Sequence, residues 1–420
     1  MRRTILLSCL ALSIAAASGA EADRKHETVL FDFPNPNTQG FSPSDAPTVD
    51  STGTLYGANG FGGAANEGTV WSLSPGGTLS VLHTFQGPPS DGTASATPTF
   101  GPDGALYGAS AGGGTFDRGT IYRLVQTGSG WSETVLYSFC QVAQFACFDG
   151  AYPQGGLAID ENGTIFGTTI EGGEGIEAGW GAVFRLDPPV GGGSWTYRVI
   201  YNFCSQDNCA DGQVPTGNLV LTHRGKLYGT VQGIGIDGMG GAIYSVDTDG
   251  SHYRVLHPFP FRTGTDGYIP RNGLARDSHG VLYGTTQFDN SSTDCGTVYS
   301  FDPSSSAFQT LHRFCSRPND VDAPFNVPTI VENGNGITIY GIAEGGQYGA
   351  GGLYRLHSPA TSGGRWSERV VHAFCADPGC PDGAFDSDGT VTLHQGAIYG
   401  GMSEGGAANG GVVFRWSGEP

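Results

Sequence analysis

A tripeptide of the form Leu/Ile–Tyr/Phe–Gly occurs seven times in this chain, with its aromatic residue at Tyr56, Tyr107, Phe166, Tyr228, Tyr283, Tyr340 and Tyr399. The intervals are 51, 59, 62, 55, 57 and 59 residues. A glycine-rich stretch follows each copy, and then a second apolar segment: GTVWSL, GTIYRL, GAVFRL, GAIYSV, GTVYSF, GGLYRL and GVVFRW. A third, such as VLHTF at Val81 or VLYSF at Val135, comes after a turn, and a short fourth segment such as GLAID precedes each tripeptide. β-Branched and aromatic residues broken by Gly, Asp and Pro read as four antiparallel strands, A to D, per repeat. No stretch after the first 20 residues has a 3.6-residue period, so no helix longer than one turn is expected.

Seven such sheets in series predict an all-β, seven-bladed β-propeller with four antiparallel strands per blade. Each blade packs only on its neighbours, so a single domain of 400 residues does not need one continuous core. The seventh copy of strand D, VLFDF at Val29–Phe33, stands before the first tripeptide instead of after the last GVVFRW. The N-terminal strand is therefore expected to complete the last blade.

The first residues read as an export signal. Met1-Arg2-Arg3 is basic, Thr4 to Ala16 is apolar, and Ser18-Gly19-Ala20 offers small residues for cleavage near Ala20. Cys9 follows too few apolar residues for a lipoprotein site. Residues 21–420 then form the propeller, with no later stretch apolar enough for membrane insertion. Without Arg2 and Arg3, 18 basic residues face 39 acidic ones, a net charge of −21. Such a surface repels nucleic acid and anionic membranes.

The series LYGTT…GTVYSF…LHRF resembles the GloVer-type tandem repeat of secreted, variously anchored bacterial proteins, over nearly all the chain after the signal. The resemblance implies an extracellular bacterial repeat protein and carries no activity or site residues with it. No C-terminal sorting segment follows GVVFRW, which sets this chain apart from anchored members.

Eight cysteines remain after Cys9, an even number in an exported chain, which favours disulfides. Three pairs directly follow strand D: Cys140–Cys147, Cys204–Cys209 and Cys375–Cys380. The fourth pair comes from geometry. A C–D hairpin turning near Pro303 to Ser306 puts Cys295 opposite Cys315, within disulfide reach.

No metal ligand set and no cofactor motif is expected. His83, His257, His312 and His372 share one position in strand D, which elsewhere holds Phe31, Tyr137 or Tyr201. A slot that accepts His, Tyr and Phe is a packing site, and four separate blades cannot share one ion. Gly233 to Gly238 spells a dinucleotide fingerprint, but it bridges two strands and lacks the helix that holds a pyrophosphate. The Asp-Gly turns beginning at Asp160, Asp277 and Asp386 lack the twelfth-position Glu of a calcium loop. Each D-to-A connection carries an aspartate: Asp45, Asp91, Asp149, Asp211, Asp266, Asp322 and Asp382. Sevenfold recurrence points to fixing of the loop by backbone hydrogen bonds.

A binding site should break the symmetry. B-to-C and D-to-A loops share a face, because strands B and D run the same way. The B-to-C loops hold 10, 10, 13, 11, 11, 9 and 10 residues, and the longest carries Glu171, Glu174, Glu177 and Trp180. Phe61, Phe116, Phe288, Tyr348, Phe145, Tyr152 and Tyr268 belong to the same face. Aromatic rings beside carboxylates suit a neutral, hydroxyl-rich ligand such as a glycan. The expected protein is a monomeric, exported, non-catalytic binding propeller whose ligand is a glycan or another surface protein. The alternatives are a carbohydrate-active lyase or hydrolase using paired carboxylates such as Glu171 with Glu174 or Glu177, and a structural surface component.

Overall fold

The structure, a computed structural model, describes residues 26–418 apart from positions 44, 95, 144–145, 175–178, 236, 293, 325–326, 335, 362 and 386–389. Seven antiparallel sheets follow one another along the chain, in the spatial order A-B-C-D, and form a seven-bladed propeller. Strands B of the blades are Leu55–Phe61, Leu106–Ser110, Ile165–Glu171, Lys226–Gly233, Leu282–Thr286, Gly336–Gly345 and Ala397–Met402. Strands A of successive blades touch around the inner rim, and Asn218 of blade 4 bridges Gly273 of blade 5. The helical segments among the described residues are one turn each, Pro36–Gln39 and Asp207–Cys209.

The recurrence of the tripeptide has a packing cause. Its glycine faces the aromatic residue of strand C in every blade: Gly57 faces Trp71, Gly108 faces Tyr122, Gly167 faces Phe184, Gly229 faces Tyr244, Gly284 faces Tyr299, Gly341 faces Tyr354 and Gly400 faces Phe414. The ring lies flat over the glycine, so that a Cβ on Gly400 would stand 2.6 Å from the Phe414 ring. Close approach, not backbone conformation, demands glycine there.

A second aromatic position joins the blades. The last Phe of each strand D packs against the strand-C ring of the next blade: Phe33 on Trp71 at 5.7 Å, Phe85 on Tyr122 at 5.2 Å, Phe139 on Phe184 at 5.4 Å, Phe203 on Tyr244 at 5.1 Å, Phe259 on Tyr299 at 5.1 Å, Phe314 on Tyr354 at 5.0 Å and Phe374 on Phe414 at 5.2 Å. These tilted or edge-on contacts are the favoured aromatic geometries. Phe33 belongs to the N-terminal strand, Glu27–Asp32 and its extension, which pairs antiparallel with Val412–Trp416 and sets Val29 opposite Phe414. The first strand of the chain thus completes blade 7 and also seals blade 7 to blade 1.

All four disulfides form as the sequence suggested, including Cys295–Cys315. In that hairpin Thr297 faces Arg313 and Val298 faces His312, which carries the register on to the two cysteines. Disulfides of this number place the folded chain in an oxidising compartment, extracellular or periplasmic. The segment proposed as a signal lies outside the described residues.

Candidate functional site

B-to-C and D-to-A loops do emerge together. The start of each D-to-A return pairs with the far end of strand B, as Phe41 with Phe61 and Ala151 with Glu171. A backbone bond repeats across every seam. The residue before the glycine that opens strand C accepts an N–H from the next connection: Glu67 from Ala94, Arg118 from Tyr152, Trp180 from Val214, Gly240 from Ile269, Cys295 from Ala323, Ala350 from Phe385 and Gly410 from Ser42. Six of those seven donors have positive φ without being glycine, a conformation held only where the surroundings over-determine it. The backbone of this face is therefore constant while its side chains differ from blade to blade.

The described residues singled out from sequence occupy five blades of that face. Glu171 ends strand B of blade 3 and is exposed, as is Glu174, whose N–H is held by Asn202 Oδ1 at 3.0 Å. Trp180 is half-buried. Its indole N–H is buried with no acceptor among the described residues. Glu177 and Phe145 lie outside the described residues. Phe116 of blade 2 is half-buried against the Cys140–Cys147 disulfide, beside Tyr152, whose ring lies under the Arg118 guanidinium at 5.0 Å. Phe288 of blade 5 stacks on buried Tyr268 at 5.0 Å. Tyr348 of blade 6 is 41% exposed. Sequence reasoning passed over Phe385, 49% exposed in the return from blade 6 to blade 7, and Phe41, which stacks at 5.5 Å on the 53% exposed Phe61. Nothing in the repeat pattern marks Phe385. Tyr152, Val214 and Ile269 share its positive φ and are half-buried, so the exposure of Phe385 is set by its side-chain surroundings.

Four of the recurrent aspartates, Asp91, Asp149, Asp211 and Asp382, are loop fasteners. Asp91 accepts the N–H groups of Gln86 and Gly87 at 2.8 and 3.0 Å, Asp149 those of Gln141 and Val142, Asp211 those of Ser205 and Gln206, and Asp382 that of Cys375. Their second partner went unrecognised in the sequence: it is the His/Tyr slot of strand D. His83 bonds Asp91 at 2.9 Å, Tyr137 Asp149 at 2.7 Å, Tyr201 Asp211 at 2.8 Å and His372 Asp382 at 3.0 Å, while His257 stands 3.2 Å from Asp266. One assignment is corrected. In blade 5 the fastener is Asp320, which accepts the Ser316 N–H at 2.9 Å. Asp322 lies instead in the short strand Val321–Asp322, two residues past the fastener, where it pairs with Glu344 of strand B.

Across each seam, the residue four places earlier in the next strand D meets this slot, and its chemistry matches. Tyr197 stacks on Tyr137 and Tyr253 on Tyr201, both at 3.8 Å, and Phe308 stacks on His257 at 4.0 Å. At three of the four histidine slots the neighbouring strand supplies a glutamate: Glu133 beside Asp91, Glu27 beside His372 and Asp382, and Glu368 beside His312. Burial, with the nearby aspartate adding to it, pushes the Glu133 carboxyl up to about 7, and burial likewise raises Glu27 to about 7 against the opposing pull of His372. At the third seam burial pushes the His312 imidazole down to about 4. A cleft of about 500 Å³ opens there between strands D of blades 5 and 6, lined by Thr310, His312, Arg317, Arg365, Trp366 and Glu368 among others.

The Gloeobacter/Verrucomicrobia repeat matches residues 20–240 and 141–344. The chain belongs to this repeat family. No curated protein sequence matches the Gloeobacter/Verrucomicrobia repeat protein described here. Among solved structures it is similar to a polysaccharide lyase, at 12% identity and a TM-score of 0.52 with 89% of each chain covered. It is similar at 11% identity and TM-score 0.52 to a xyloglucanase from Xanthomonas campestris, covering 90% of this chain and 53% of that one. The extracellular domain of a one-component system from B. thetaiotaomicron matches at 10% identity and TM-score 0.52, over 91% of this chain and 39% of the other. The repeat protein thus spans well under two thirds of the length of two of these three. At such identities the likeness establishes the propeller fold alone.

Proposed function

We propose that this protein is an exported, non-catalytic, carbohydrate-binding propeller that works through its B-to-C and D-to-A loop face. The observation that carries the reading is where exposed rings stand. Every exposed aromatic side chain among the described residues, Phe61, Tyr348 and Phe385, lies on that face, in the sector of blades 6, 7 and 1. Flat rings held on a fixed backbone suit the C–H faces of sugars, and the acidic surface disfavours polyanions as ligands. Glu171 and Glu174 on blade 3 supply acceptors for hydroxyl groups farther round the same face and half-buried Trp180 supplies an indole donor, with Phe116 on blade 2 and Phe288 on blade 5 between them and that sector. The fold is shared with proteins whose names place them on polysaccharides, a lyase and a xyloglucanase.

A glycan array probed with the tag-free mature protein tests this, followed by product analysis on every glycan retained. Binding without cleavage is expected, weakened roughly tenfold or more in Tyr348→Ala and Phe385→Ala, since an aromatic platform is worth about 1–3 kcal/mol. Trp180→Ala should weaken binding with little change in thermal unfolding. Cleavage abolished by Glu171→Gln would replace the reading with an enzymatic one, and an array silent throughout would remove carbohydrate as the ligand.

A further inference from the structure

Blade 5 breaks the repeat at one point. His83, His257 and His372 each have an aspartate oxygen within 3.2 Å of Nε2. His312 has none, and its nearest carboxylate is Glu368 of blade 6 at 4.0 Å. The aspartate of this loop, Asp320, stands on a third side of the same space. One ligand atom each from His312, Asp320 and Glu368 lies within 4.8 Å of the other two.

Two of these groups are short of partners. His312 Nε2 and Glu368 Oε1 are buried and make no hydrogen bond. The Glu368 side chain is only 2% exposed. A buried donor or acceptor left unmade costs about 1–3 kcal/mol, more for a charged group. Glu368 Oε2 accepts from the Arg317 guanidinium, and Asp320 accepts from Ser316 and from the Val321 N–H. Two carboxylates against one guanidinium still leave a negative charge beside the buried Glu368 side chain.

We propose that His312, Asp320 and Glu368 form a divalent-metal site at the seam of blades 5 and 6. One imidazole with two carboxylates is a borderline donor set that suits Zn²⁺ and disfavours Ca²⁺, which takes oxygen ligands alone. Ligand atoms about 2.0–2.2 Å from a zinc ion in tetrahedral geometry stand about 3.3–3.6 Å apart, so three atoms now 4.0 Å to at most 4.8 Å apart would close by roughly 0.5–1.5 Å on binding. Arg317 orients the Glu368 carboxylate as an outer partner does at a metal centre. His312 and Glu368 also line the cleft that holds Arg365 and Trp366, so the fourth position would be left to water or to a ligand oxygen. Four histidines on four blades cannot share an ion, but one histidine with carboxylates from its own loop and the adjoining blade can. The ion would clamp two blades together.

The test is zinc titration by calorimetry on the EDTA-stripped, tag-free mature protein, with anomalous diffraction at the zinc edge from crystals soaked in zinc chloride. One zinc per chain is expected, with its peak at this seam. His312→Tyr leaves the packing intact, since Tyr137 and Tyr201 fill the same slot in other blades, and should weaken zinc binding by more than about 100-fold. Glu368→Gln should do likewise, whereas His257→Tyr should not change it. Zinc bound undiminished by His312→Tyr and Glu368→Gln, a peak elsewhere, or no binding at millimolar zinc would overturn the assignment.

Discussion

At the scale of the residue, one strand position is read twice. In five of the seven blades the third residue of strand D meets the aspartate of its own blade, and the next blade answers it with a group of matching chemistry. Glu133 and Glu27 are answers whose carboxyl pKa lies near 7 in the folded ring, raised first by burial and then by Asp91 or Asp382. The ordinary value, 4.5, applies when the chain unfolds. The folded state therefore holds these protons more tightly, and the stabilisation is fully present below about pH 4.5 and lost as pH rises through 7. Glu133→Gln keeps the shape of the protonated acid. Thermal unfolding followed by circular dichroism should put its midpoint about 1–3 °C above the parent at pH 8 and level with it at pH 4. An equal shift at both pH values would mean that protonation of Glu133 is not what couples this seam to pH.

At the scale of the element, the four cross-links differ in what they close. Cys140–Cys147, Cys204–Cys209 and Cys375–Cys380 each span five or seven positions at the mouth of a D-to-A return, whereas Cys295–Cys315 spans 20 and staples strand C to strand D. Loop-closure entropy gives about 2 kcal/mol for the short rings and about 3 kcal/mol for the long one. Replacing Cys295 and Cys315 together by serine should thus lower stability in urea by about 1 kcal/mol more than replacing Cys204 and Cys209. A ranking in the other order would show that the short rings act on the native loops and not on the unfolded chain. Zinc at the same seam would add to the difference, so both titrations belong in EDTA.

At the scale of the whole molecule, closure is carried by one strand. Residues 27–33 pair with Val412–Trp416, and Phe33 fills the blade-1 interface against Trp71. Removing them exposes an apolar edge with Val412, Val413 and Phe414, all buried in the closed ring, and leaves it free to pair with other chains. A chain lacking residues 21–34 should melt far below the parent or aggregate, as light scattering during the melt would report. Phe33→Ala alone should cost about 3–5 kcal/mol and lower the midpoint by roughly 5–10 °C. A truncated chain that stays soluble and melts with the parent would mean that blade 7 stands without its fourth strand.

The seven blades, their strand order, the closing strand and the Cys295–Cys315 bond were legible in the sequence because each follows from local pattern repeated at a fixed interval. Glycine under a ring, alternation along a strand and register across a short hairpin are short-range constraints. The partnership of strand-D His or Tyr with the loop aspartate was not legible, although both positions were visible, since either residue type is common in packing and in turns. The glutamates of the neighbouring blade were less legible still. They meet His83, His312 and His372 only because the ring curvature lays one strand D against the next, and no sequence interval fixes that contact. The same holds for the loop face. Where loops emerge was readable from strand direction, but whether a ring there is exposed, like Tyr348, or tucked onto a neighbour, like Phe288 on Tyr268, depends on side-chain packing between blades. Sequence periodicity determined the frame, whereas burial and charge at the seams were decided by tertiary structure, because they depend on groups that the chain brings together only when the ring closes.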